Sequence, residues 1–315
     1  MSSGIPTTLN ATVLRDVQTA IRDKHLAWTA GKTFFYDFDV KRLQKLFGYK
    51  PHDTERKVGN RLRKRYRKVP TEPLPPLPHR KPAAGIDWTD VQGLSYIDPI
   101  RNQGLSPICV AYGVVAAIEA NARIKEKLPL QHPDHFAFPN LSEEQLFECG
   151  NPVKHPKGWN ITEALGYCRD VGLVPEYEAF LLLVNLSKKI NPDLSRQVTK
   201  IGRQVKFDAS QTREMKHWLS SRGPLIATLL FPINLDLLFY RRGIYEPTTS
   251  IFIPGVSHCV TIIGYDERKK AWKIKNSWGT DWGEAGYMWI KYHSCYLESE
   301  VFGVDDLTVY LRKLT

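Results

Sequence analysis

Near residue 205 the hydrophobic pattern of this 315-residue chain changes period, and that change limits the fold more than any other feature. After Cys109, apolar residues recur at helical spacing: Val110, Gly113/Val114 and Ala117/Ile118. LSEEQLFEC follows, in which Ser142 and Gln145 read as a capping box, and then NITEALGYCRDVG, with Asn160 or Thr162 at its start and Gly172 at its end. From about 205 the chain turns to short β-rich segments broken by Gly and Pro: VKFDA, PLIATLLF, GIYEP, CVTIIGYD, AWKIKN and GYMWIKY, interrupted by one helix, REMKHWLSS. An α+β protein is predicted, with a helical lobe, a strand-rich lobe and a cleft between them.

The residues able to do chemistry fall on both sides of that divide. Cys109 opens its helix directly after Pro107-Ile108. The first amides of a helix lack backbone partners and carry the positive end of the dipole, which favours a thiolate. The plain alternative is a buried cysteine of the kind common in cores. His258, in GVSHCVTIIGYD, is either a hydrogen-bonded core residue or a base for the thiol. Asn276, at the end of AWKIKN, offers a neutral amide to orient an imidazole, and Trp278 an indole to screen that bond from water.

Cysteine, histidine and asparagine in this order, with the block NSWGTDWGEAGY, resemble the papain family of cysteine peptidases, nearest to its cathepsin B-like branch. His258 follows Cys109 by 149 residues and Asn276 by 167, against a family spacing of about 130–150. The resemblance implies a papain-like two-lobe fold with a helical left lobe and a β-barrel-like right lobe. It implies a monomeric cysteine endopeptidase made as a zymogen, acting on proteins or peptides without a cofactor and open to cystatin-like inhibitors. By the same resemblance, Gln103 and the Cys109 amide stabilise an oxyanion. Gly158 and Trp159 stand where paired glycines bind the substrate backbone, and Trp278 borders the site. Glu300, in HSCYLESEVFGVD, corresponds to the floor of the S2 pocket, where a carboxylate can pair a P2 arginine; a surface glutamate is the other reading.

Five positions depart from the family pattern. Val110 replaces an aromatic residue, Pro107-Ile108 a flexible Gly-Ser, and Trp159 a glycine. Ser106 replaces a half-cystine, which leaves Cys149 without that bridge. No insertion with paired histidines lies between Cys149 and Lys206, and an unobstructed primed side suits an endopeptidase. These departures keep open a catalytically weak or inactive cathepsin B-like interaction protein.

The net charge of +11 belongs to the N-terminal part. Residues 1–82 carry 18 Lys/Arg against 7 Asp/Glu, and residues 83–315 carry 26 of each. Residues 1–55 are assigned as a propeptide-like region: two amphipathic helical patterns within 12–48 flank a turn at Ala30-Gly31, and Trp28, Ala30 and Gly31 match the cathepsin B-like propeptide. In that family the segment runs through the cleft in reversed direction and blocks it. Residues 56–82 join the eight basic residues of RKVGNRLRKRYRK to a proline-rich stretch, read as a solvated linker rather than a nucleic-acid patch. Processing is expected between about Arg80 and Gly85. Residues 83–315 form the peptidase domain, helical over about 100–200 and strand-rich over about 205–315.

The sequence shows no metal-binding Cys/His pattern and no apolar run of the roughly 20 residues that span a bilayer, so neither a metal nor a membrane is expected. Five cysteines and a start without a basic-then-apolar leader suit a reducing, cytoplasmic setting. Sequons at Asn10, Asn140, Asn160 and Asn185 and the family resemblance suit a lysosomal or secreted one.

Overall fold

The change of period at residue 205 is a change of structure. The computed structural model describes residues 6–43, 47, 48, 73, 82–151, 158–179, 197–229, 233–248, 252, 253 and 257–312. Helix α3 (Cys109–Glu126) is apolar on nearly every side and is accordingly the buried axis of the helical lobe. Against it pack α4 (Glu143–Gly150) and α5 (Ile161–Asp170), with Val110, Val114, Ile118, Leu146, Phe147 and Leu165 among the core. Ser142 Oγ accepts from the Gln145 N–H at 3.1 Å and Asn160 Oδ1 from the Glu163 N–H at 2.9 Å, so both helix starts are capped. The capping box at Ser142 is only half made. The Gln145 side chain does not turn back to the cap; its Nε2 donates to Tyr167 Oη and Gly172 O, because those bonds tie α4 to α5 in the buried interior.

The second half supplies β3 (Arg203–Phe207), α6 (Thr212–Ser221), β4 (Leu225–Leu229), β5 (Ile233–Asn234), β6 (Tyr240–Tyr245), β7 (Phe252–Ile253), β8 (His258–Asp266), β9 (Ala271–Lys275), β10 (Tyr287–Lys291) and β11 (Val301–Asp305). Among the described residues the main sheet has nine strands. Its order is β1-β6-β10-β9-β8-β4-β11-β3, where β1 is Trp28–Ala30, with β2 (Gly85–Asp87) also on β8. The α+β papain-like architecture stands, but the two ends of this order do not meet, so the sheet is open where a barrel-like lobe is expected. Strand β8 lies inside the sheet and also packs on α3, which brings its first residue, His258, to the junction of the lobes. Strand β11 is visible only in the structure. Val301 faces the core of the strand-rich lobe while Phe302 and Val304 enter that of the helical lobe, so its alternation serves two cores.

At the N-terminus, α1 (Ala11–Asp23) is capped by Asn10, whose Oδ1 accepts from Thr12 and Val13. Where a turn is expected at Ala30, the chain forms β1 (Trp28–Ala30), antiparallel to β6 with Trp28 opposite Gly243. Burial of Trp28 beside Tyr240 and Tyr245 drives that pairing. Gly243, at φ +98°, permits it, since a Cβ there would lie 2.3 Å from Ala27 O. Helix α2 (Val40–Leu43) follows. The basic run 56–68 lies outside the described residues, as does the proline-rich stretch except Pro73 and the residues from 82 on. From Ala83 the chain is pinned to the body: Tyr265 Oη donates to Ala83 O at 2.8 Å and the Glu267 N–H to Ala84 O at 2.9 Å.

Candidate active site

Cys109 is the first residue of α3, and the preceding Ile108 offers no side-chain cap; the Ala111 and Tyr112 N–H groups donate to Ile108 O, and those of Cys109 and Val110 are left to face the Cys109 sulfur. His258 begins β8, and Asn276 follows directly on β9, the antiparallel neighbour of β8. The pairing brings His258 Nε2 to 2.7 Å from Asn276 Oδ1. An amide oxygen only accepts, so Nε2 carries the proton and Nδ1 the lone pair. Nδ1 is buried without a hydrogen-bond partner among the described residues. Trp278 stacks on the imidazole at 4.4 Å and 22°. On the other side, the Cys109 sulfur is approached by the backbone N–H groups of Cys259 and Gly48.

Ser277 ties these pieces together. Its Oγ donates to Gln103 Oε1 at 2.6 Å, its carbonyl accepts from the Gln103 N–H, and its own N–H donates to Asn276 Oδ1 at 2.8 Å. Gln103 Nε2 donates to Ser106 O at 2.8 Å within the loop that leads to Cys109. Sequence reasoning passed over Ser277, although it sits inside the NSWGTDW block beside Asn276. Ser277→Ala removes a buried bond worth about 1 kcal/mol, and steady-state assays should show kcat/KM lowered about 3- to 10-fold with the fold intact.

Two further residues that the sequence did not flag occupy the site. The Phe47 ring stands edge-on to His258 and Trp278, at 5.9 and 6.0 Å. Gly48 lies over Cys109, and its carbonyl accepts from the Trp159 N–H at 2.6 Å. A Cβ on Gly48 would meet Pro107 O at 1.7 Å, and one on Gly158, at φ +67°, would meet Gly48 O at 1.9 Å. Only glycine fits either place. No spacing rule marks such a plug, because its two residues are defined by what they cover.

The plug reverses the expected chemistry of the thiol. Burial pushes the Cys109 thiol up, and the surrounding N–H groups only partly oppose this. Burial also pulls His258 down to about 4, against the Asn276 bond. With water excluded, neither charge of a thiolate–imidazolium pair is solvated, so both groups are neutral in this state. The thiolate favoured by the helix start does not form here for that reason.

The remaining expected site residues separate into two places. Trp159 does not fill the cleft: its indole is buried beside Gly150 and Tyr167 with Nε1 donating to Glu163 Oε2 at 3.0 Å, and only its backbone N–H faces Gly48. The substitution of glycine thus leaves the backbone contact usable. Glu300 lies before β11, and its Oε1 pairs with Lys206 Nζ at 2.8 Å with the carboxylate mostly buried. It is neither a surface glutamate nor an open negative floor. Among the described residues, no group of three His, Cys, Asp or Glu side chains is placed to hold a metal, and no helix is long and apolar enough to cross a membrane.

Comparison with known proteins bears on the family and the fold. Residues 82–304 match the family described as "Papain family cysteine protease". The chain is 30% identical over 222 residues to a cathepsin L-like proteinase of Phaedon cochleariae, covering 68% of this chain and 62% of that protein. It is 31% identical over 219 residues to procathepsin L of Felis catus, covering 65% and 59%. The chain thus spans about six tenths of the length of these curated relatives. Among solved structures, procathepsin B S9 of Trypanosoma congolense matches with a TM-score of 0.70 at 16% identity, over 98% of this chain and all of that one. A digestive procathepsin L 3 of Tenebrio molitor matches with a TM-score of 0.63 at 18% identity, over 93% and 88%. At such identities these two show a shared fold.

Proposed function

Because the chain belongs to the papain family of cysteine proteases, we propose that residues 83–315 hydrolyse peptide bonds through Cys109, His258 and Asn276, and that the preceding residues hold the enzyme as a zymogen. One observation carries this reading. The imidazole of His258 is fixed on one nitrogen by Asn276 and on one face by Trp278, while its other nitrogen has no hydrogen-bond partner among the described residues, and the backbone N–H of the next residue, Cys259, reaches the sulfur of the helix-start Cys109. Fixing one nitrogen sets the tautomer in which the other can take a proton.

In the open enzyme His258 Nδ1 removes the Cys109 proton, and the thiolate attacks the scissile carbonyl. The Cys109 N–H and the Gln103 amide donate to the developing oxyanion, each worth a few kcal/mol of barrier. Imidazolium then protonates the leaving amine. Water, deprotonated by His258, hydrolyses the thioester and restores the thiol. Release of the N-terminal segment is expected from a cut between about Arg80 and Gly85; one ahead of Ala83 would leave the contacts of Ala83 and Gly85 with β8 intact. Two matched structures titled as procathepsins fit the assignment of a zymogen.

An epoxysuccinyl thiol trap tests the reading. Incubated with processed protein and followed by peptide mapping, it should label Cys109 rapidly and alone. Slow labelling spread across the five cysteines would instead favour an inactive interaction protein.

Lys206 also bears on substrate choice. If Glu300 floors the P2 pocket, a P2 arginine must displace Lys206 from it. Lys206→Met should then raise kcat/KM for P2-Arg over P2-Leu substrates about 10-fold, the worth of one charged hydrogen bond. An unchanged ratio in a paired-substrate assay would place Glu300 outside the P2 pocket.

A further inference from the structure

Cys259 is a buried thiol that this reaction leaves unused. It follows His258 on β8, and strand alternation turns it away from the imidazole's side into the helical lobe, where it shares an apolar cluster with Cys109, Val110 and Ile226. Its sulfur rests on α3: a Cβ at Gly113 would stand 2.6 Å from Cys259 Sγ, a place that only glycine leaves open. Gly113 is four residues beyond Cys109 and on the same helix face. The backbone N–H of Cys259 is directed at the Cys109 sulfur. Cys259 thus has its backbone N–H at the Cys109 sulfur and its own sulfur one turn further along the same face of α3. Cys109 is the one at the cleft and Cys259 the one behind it.

Resting on the assignment of Cys109 as nucleophile, we propose that Cys259 is its resolving cysteine, capturing peroxide-oxidised Cys109 in a Cys109–Cys259 disulfide that switches the peptidase off reversibly. The Cys109 thiolate attacks one oxygen of hydrogen peroxide. The O–O bond breaks, sulfur is oxidised to the sulfenic acid by two electrons, and the other oxygen leaves as water after taking a proton. The Cys259 sulfur then attacks Cys109 Sγ. An S–S bond forms, the S–O bond breaks, and the departing hydroxide takes the Cys259 proton to give a second water. A dithiol reductant returns both thiols.

The surroundings favour this order of events. Burial and the neighbouring Cys109 hold the Cys259 thiol well above its usual range, so Cys259 stays protonated while Cys109 meets the oxidant. Sulfenic acid is neutral, which ends the repulsion from Cys109 and leaves burial, the larger cause, in place. Without a resolving thiol, Cys109 continues to sulfinic acid and is lost. In the unprocessed chain Gly48 covers Cys109, so the switch belongs to the processed enzyme.

The test treats processed enzyme with a small excess of hydrogen peroxide, quenches with catalase, and measures peptide hydrolysis before and after dithiothreitol alongside a non-reducing peptide map. Wild type should yield a linked Cys109–Cys259 peptide pair, two hydrogens lighter than the separate thiols, and recover most of its activity. Cys259→Ala should give Cys109 sulfinic acid and recover less than about a tenth, whereas Cys168→Ala behaves as wild type. Irreversible loss in wild type without a linked pair overturns the proposal, and the wild-type map decides even if Cys259→Ala does not fold. Should the protein hydrolyse no peptide, the linked pair or the sulfinic acid is still read by mass, which separates failure of the switch from failure of the peptidase assignment.

Discussion

His258→Ala is expected to lower kcat of the processed enzyme by about 10⁴- to 10⁶-fold, the loss seen when one member of a nucleophile–base unit is removed. The size follows from two roles in one imidazole. In the proposed mechanism it generates the nucleophile and it protonates the leaving amine, so its removal strikes both bond-making and bond-breaking. Asn276 and Trp278 position that ring, and in the variant they orient nothing. Steady-state kinetics on a fluorogenic peptide measures the loss. The pH profile adds a signature that a packing defect lacks: the limb of kcat/KM that reports the imidazole disappears. A loss below about 10-fold would remove His258 from the mechanism.

The second large effect is expected in the unprocessed chain. Phe47→Ala should raise the rate at which an epoxysuccinyl trap labels Cys109 by about 10²-fold, and Gly48→Leu should act in the same direction. Truncating a buried Phe costs about 3–5 kcal/mol. If roughly 3 kcal/mol of that falls on the closed state, the open population rises about 10²-fold. Gly48→Leu reaches the same end through space, since its Cβ would strike the Pro107 carbonyl at 1.7 Å. Wild-type labelling rates in both variants would mean that Phe47 and Gly48 do not guard the thiol.

Acid should open the same closure. His258 is held at about 4 by burial in the closed state and returns towards its ordinary 6.5 once water reaches it. The open form therefore binds more protons between these values, and lowering the pH through that window favours opening. The closed state is unaffected above pH 6.5 and loses about 3 kcal/mol by pH 4. The ratio of labelling rates, unprocessed to processed, should climb over this window, and a flat ratio would contradict the burial of His258 as its cause.

Much of the site was legible in the sequence because family order and local pattern both speak for Cys109, His258, Asn276 and Trp278. Cys109 and His258 begin a helix and a strand, Asn276 follows directly on β9 with Trp278 two residues beyond it, and pairing of β8 with β9 delivers the last three together. What escaped was decided by tertiary contact. Gln145 has the sequence of a capping partner and spends its amide on Tyr167. Trp159 looks obstructive on paper, yet its side chain leaves through the helical lobe and only its backbone meets the cleft. Lys206 and Glu300 are far apart in the chain and meet because β3 and β11 are paired. The open sheet escaped for the same reason, since strand order is not written in any one strand.

Strand β1 has a consequence for the enzyme once its N-terminal segment is gone. The segment contributes an outer strand, and its departure strips the hydrogen-bonding rim of β6 down to bare backbone. Such a rim invites a strand from another molecule. Here it carries Arg241 and Arg242 in succession and is interrupted at Gly243, whose left-handed backbone breaks the regular ladder. Charge and irregularity are the two means by which natural edges resist sticking. The surface that embraces the N-terminal segment in the precursor is thus already built to stand alone in water without recruiting a replacement.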